Sequence, residues 1–175
     1  MGLSRGAVNI GSTGSIIAQS VNSKPGKIVI GSPSANSVRV AGNIDVSAPK
    51  RFISPSGTII VQGRRVTHTG NIHANGGSGG KIKVLSTENL KLDGSLFAKG
   101  TKDKGGSVIV MSENSIQTSA KTVIDVSGQL KGGTAQLLAK VKNKVSGNIF
   151  ANSNLGKGGN IDITAEKTEI DKAAI

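Results

Sequence analysis

The chain contains no cysteine, no tryptophan and no tyrosine, and three phenylalanines among 175 residues. Disulfides therefore cannot hold the fold, and its core has to be aliphatic. Nucleic acid is disfavoured as a partner, because single-strand binders rely on aromatic platforms for the bases. Continuous apolar stretches are short. None approaches the roughly 18 residues that a membrane-spanning helix needs, so no membrane span is expected. The opening segment GLSRGAVNIG lacks the unbroken apolar run of a secretory leader, and Ala7 to Ile10 already reads as a strand. Acidic side chains are scarce as well, ten against 22 Lys and Arg.

Glycine is plentiful, at 25 residues, and it punctuates a repeat. In Gly70 to Val84, GNIHANGGSGGKIKV, a short segment with every second residue apolar passes through a glycine-rich corner into another such segment. Alternation of period two marks a half-buried strand. The first segment recurs from Gly14, Gly42, Gly70, Gly94, Thr122 and Gly147, and the second from Gly26, Gly57, Gly80, Gly106, Gly133 and Gly159. Starts fall 23 to 31 residues apart. Fixed-period self-similarity in that range signals a solenoid, in which each repeat buries its apolar face against its neighbours.

A third, shorter strand precedes each glycine-led segment, at Val8 to Ile10, Val38 to Val40, Val66 to His68, Leu90 to Leu92, Ile116 to Thr118, Val141 to Val145 and Thr168 to Ile170. The expected fold is all-β: a right-handed parallel β-helix with three short strands per coil and about six to seven coils of roughly 26 residues. Each strand should pair in parallel with its equivalent one coil on, at about 4.8 Å. Residues 1–175 read as one uncapped domain, with an irregular loop near 48–56 where the interval between segments is longest.

Stacking the equivalents places Ile44, Ile72, Leu96, Ile124 and Ile149 in one interior column, and Ile59, Ile82, Val108 and Ile161 in another. Corners fall to glycine, which tolerates positive φ and close backbone approach. They fall also to Asn36, Asn75, Asn89, Asn114 and Asn152, whose amides can stack as ladders.

The phrasing G-x-I-x-A, small corner, G-G-x-I-x-V, as in GNIHANGGSGGKIKV and GSLFAKGTKDKGGSVIV, resembles the filamentous-haemagglutinin-type repeats of large exoproteins secreted by the two-partner pathway. The likeness runs from about Val8 to Ile170. It implies a right-handed β-helix shaft, an extracellular place on the bacterial outer surface, and an outer-membrane transporter as secretion partner. The pattern is specific for that coil and carries no activity with it.

Catalytic chemistry finds little footing. Glycan-active β-helix enzymes need carboxylates clustered with a base on one face. Asp45 and Asp125 share an outward column but stand three coils apart, about 14 Å at the strand spacing, and Asp162 lies on another face. No enzyme activity and no cofactor are expected. His68 aligns with Val40, Leu92 and Val145 and should point inward, whereas His73 aligns with Asp45 and Phe97 and should point out. The two straddle the wall, so no metal site is expected. Phe97 and Phe150 take outward positions two coils apart, where cover by a loop is expected.

Charge is the strongest remaining signal. A formal net charge of +12 attracts polyanions such as acidic polysaccharides. The densest clusters, Lys50, Arg51, Arg64 and Arg65, then Lys140, Lys142 and Lys144, are the candidate polyanion contacts, facing host or bacterial surface glycans. The same side chains also serve as a solvated wall that blocks lateral aggregation. The expected function is a non-enzymatic structural and adhesive shaft of a cell-surface fibre. Uncapped ends admit a second reading, a filament subunit stacking head to tail on copies of itself, and a polysaccharide-active enzyme stands third.

Overall fold

The computed structural model describes residues 6–19, 24–49 and 54–171. Among them the chain forms nineteen strands and no helix. The strands assemble into one seven-stranded and two six-stranded sheets, all with parallel pairing, and each turn of chain visits the three sheets in rotation. The first wall runs from Ala7–Ile10 to Lys167–Ile170, the second from Ser15–Ile17 to Asn148–Phe150, and the third from Lys27–Gly31 to Asn160–Thr164. Together they make a β-solenoid of about six turns.

The walls stay in step because a slip of one residue would turn every aliphatic side chain of a strand toward water. On the second wall Ile16 stands beneath Ile44, followed by Ile72, Leu96, Ile124 and Ile149. On the third, Ile28 is followed by Ile59, Ile82, Val108, Ala135 and Ile161. Ile44, Ile59, Ile72, Ile82, Leu96, Val108 and Ile124 are fully buried. Each such burial contributes about 1.5–3 kcal/mol, so the stack needs no cross-link.

Two of the expected core positions depart from this pattern. Ile149 is half-buried, and Ile161 is 45% exposed although it holds its place in the column. Both lie on the last described rung, where no further described rung covers them.

Glycine acts here mainly through close approach. Among the described glycines, only Gly31 takes a left-handed conformation, with φ 76°. Gly106 has ordinary φ, but a Cβ on it would lie 2.1 Å from the carbonyl oxygen of Gly80 on the rung below. Asparagine caps neighbouring rungs: the Asn114 amide donates to Asn89 Oδ1 at 2.9 Å, and Asn75 Oδ1 accepts from the backbone N–H of Lys99 at 2.8 Å. In the interval expected to loop out, Ala48, Ser54 and Ser56 are buried and Pro55 bridges to Ser78. The rest of that interval, residues 50–53, lies outside the described residues.

Candidate functional site

Every second residue of a wall strand faces outward, and stacking turns those residues into columns that run along the solenoid. The outer face of the second wall carries Ile17, Asp45, His73, Phe97, Asp125 and Phe150 in register. Asp45 and Asp125 are three rungs apart, and each is occupied by its own neighbours. Asp45 accepts from Gln19 Nε2 at 2.6 Å and from the Ser47 N–H at 2.8 Å. Asp125 accepts from Lys99 Nζ at 2.9 Å and from the Ser127 N–H at 2.9 Å. Burial pushes both carboxyls up, but these hydrogen bonds outweigh it and hold both below the usual aspartate range. Two ionised acids at that separation share no proton.

The histidines stand as their alignment implies. His68 is fully buried in the first-wall column between Val40 and Leu92. Its Nε2 lies 3.4 Å from the Ser95 carbonyl oxygen, and its Nδ1 has no partner among the described residues. Burial pushes its pKa down to about 4, so it is neutral near pH 7. His73 faces out and stacks on Phe97, with ring centroids 5.2 Å apart and planes 11° from parallel. Histidine, rather than a loop, thus covers Phe97, while Phe150 stays 40% exposed. Phe150, Asp125, Lys99, Gln129, Asn152 and Asn154 border an open groove of about 530 Å³ on this wall.

The described candidate polyanion contacts lie along one edge of the first wall, with Arg65 and Lys142 in the same column three rungs apart. Lys50 and Arg51 lie outside the described residues. Arg64 pairs with Glu88, and Arg65 reaches the same carboxylate at 3.9 Å while donating to Asn36 Oδ1 at 3.2 Å. Lys142 pairs with Glu169 at 3.0 Å, and Lys144 stands in register with that glutamate. Lys140 is exposed in the turn that precedes this strand. Density of basic residues along the chain is thus a poor guide to positive potential, because acids one rung away neutralise much of it.

Two surface features escaped the sequence reading. On the third wall, Leu85, Met111 and Leu138 form an outward apolar column beside Ile60 and Ile109. Met111 is 43% exposed, and a depression of about 230 Å³ lies over Leu85 and Met111. The signal was available in KIKVL, SVIVM and TAQLL, where apolar residues occupy both faces at the end of the strand. The second feature is a row of lysines, Lys104, Lys131 and Lys157, joined rung to rung by parallel bridges. Its signal was the triplet K-G-G, which occurs at the same point of three successive repeats. No family model matches the chain, and no curated protein or solved structure does.

Proposed function

We propose that this protein is a non-enzymatic structural and adhesive shaft, a stiff rod that displays contact surfaces from an extracellular, cell-surface fibre. The observation that carries the reading is the unbroken register of the three walls. Equivalent residues stack from the first described rung to the last, and Asp45, Glu88, Asp103, Asp125, Glu169 and Asp171 each bind a side chain of the preceding rung. Such a body resists bending because every backbone ladder runs along its length. The repeat phrasing supports placement with filamentous-haemagglutinin-type exoproteins, with an outer-membrane transporter as secretion partner and surface glycans as contacts. Hydrogen exchange of the purified chain tests the stack: slow exchange on all three walls from rung to rung supports the shaft, and protection confined to one region sinks it. Turnover of an acidic polysaccharide that disappears in Asp45→Asn or Asp125→Asn would replace the shaft by an enzyme.

One observation favours a second reading, a subunit that stacks head to tail. Ile161 and Ile170 on the last described rung are 45% and 50% exposed, and Val8, Ile10 and Ile16 on the first are half-buried. These apolar cross-sections are surfaces on which another rung can pair, and such a contact does not close on itself. Electron microscopy over a concentration series separates the two, since fibres abolished by Ile161→Lys support stacking.

A further inference from the structure

Lys104, Lys131 and Lys157 occupy one in-register row on three successive rungs, at the wall spacing of about 4.8 Å. The row is anchored through the main chain: their carbonyls accept from the N–H groups of Gly79, Gly105 and Gly132 at 3.0, 2.9 and 3.0 Å. All three side chains are exposed, and none forms an ion pair with a described residue. Several cations elsewhere are compensated, Lys99 by Asp125, Arg64 and Arg65 by Glu88, Lys142 and Lys167 by Glu169, while others, among them Lys81, Lys83, Lys140 and Lys144, also pair with no described acid; what sets this row apart is its register. The acid next to the row, Asp103, is occupied by the Ser78 hydroxyl at 2.7 Å. Stacked like charges repel, and an anion with the same repeat relieves them.

The row is one side of a trough. Its floor is the glycine pair that follows each lysine; a Cβ on the second of each pair, Gly106, Gly133 or Gly159, would strike a carbonyl of the rung below, and one on Gly105 or Gly132 would strike the rung above. The opposite side is a second in-register column that includes Thr58, Lys81, Ser107, Thr134 and Asn160. A depression of about 320 Å³ occupies the part of the trough between Lys104 and Lys81. The three lysines therefore line one side, and hydroxyls, an amide and the further cation Lys81 stand along the other.

We propose that this trough binds a linear acidic polysaccharide laid along the solenoid axis. Its carboxylate or sulfate groups sit on Lys104, Lys131 and Lys157, and its hydroxyls meet Thr58, Ser107, Thr134 and Asn160. One rung is close to the rise of one pyranose unit, so the acidic groups that an extended chain turns toward the row meet it at whole numbers of rungs. Duplex nucleic acid does not keep step, since its phosphates advance about 3.4 Å along each strand against about 4.8 Å per rung. Single strands find no aromatic side chain in the trough to stack on. This inference deepens the reading of an adhesive rod and rests on it.

The test compares two triple variants that remove equal charge, Lys104→Gln with Lys131→Gln and Lys157→Gln, and Arg39→Gln with Lys91→Gln and Lys121→Gln, exposed cations outside the trough. Binding to polygalacturonate is measured over a salt series, with dextran and single-stranded DNA as comparison polymers. The first triple should weaken polygalacturonate binding about tenfold or more and reduce the slope of log affinity against log salt by about two, whereas the second should change affinity less than about threefold. Equal losses in both triples, tighter binding of the DNA than of polygalacturonate, or no binding of polygalacturonate by the parent chain would overturn the trough. Hydrogen exchange of the same samples reports the stacked walls independently, so a failed trough and a failed shaft are distinguishable.

Discussion

Ile82 and Ile161 occupy the same column and the same place in the repeat, GKIKV and GNIDI, yet one is sealed and the other is 45% exposed. Nothing local distinguishes them. The difference lies in what stands above: Val108 covers Ile82, and no described residue occupies the next position over Ile161. Burial in this molecule is a property each rung receives from its neighbours, and stability therefore accumulates from rung to rung. Central and terminal rungs should answer differently to the same substitution.

The largest contrast is expected in the aliphatic columns. Ile72→Ala leaves a cavity with rungs on both sides and should cost about 2–5 kcal/mol in urea unfolding, whereas Ile161→Ala should cost less than about 1 kcal/mol. Equal losses would mean that Ile161 is covered in solution, as head-to-tail stacking requires.

Next comes acid. Folded His68 stays neutral down to about pH 4, while in the unfolded chain it takes up a proton near pH 6.5. Between those values the unfolded state binds more protons, so stability falls as pH drops from about 6.5 toward 4, by about 3 kcal/mol in total. His68→Leu should remove most of that slope and, lacking the unpartnered Nδ1, should be at least as stable near pH 7. His73 on the outer wall is also held below its usual pKa by burial, against the pull of Asp45. Because it is only half-buried, His73→Gln should leave the greater part of the slope in place. A pH series of unfolding midpoints for the parent and both variants checks the assignment.

Backbone crowding repeats the contrast between centre and end at the glycine after each lysine of the row. Gly105→Ala drives a methyl into the Val126 carbonyl oxygen of the next rung and should cost about 1–3 kcal/mol. Gly158→Ala, which meets nothing nearer than the Ala151 carbonyl oxygen at 3.8 Å, should shift the thermal midpoint little. The smallest effect belongs to the surface. Glu88→Gln removes the shared partner of Arg64 and Arg65, both partly exposed, and should cost about 0.2–1 kcal/mol at low salt and less at high salt.

The fold was legible because alternation and repeat length are both written in the chain. Ile44, Ile72 and Leu96 could be laid over one another before any coordinates, and His68 could be turned inward, since a period of two leaves one choice of face. The candidate site was harder to read. Lys140, Lys142 and Lys144 stand out because they are close in sequence, but in a solenoid the neighbours of a side chain lie about one repeat away. Glu169 sits beside Lys142, and Glu88 between Arg64 and Arg65. Phe97 was expected beneath a loop, and the ring that covers it comes from His73 on the rung below.

By itself, the sequence determined the coil, its three strands per turn and the aliphatic identity of its interior, because those follow from periodicities that each repeat carries locally. Tertiary structure alone decided which charges are cancelled and which stand uncompensated in a row. Those outcomes depend on side chains some 26 residues apart meeting across about 4.8 Å, and that meeting exists only once the rungs are stacked.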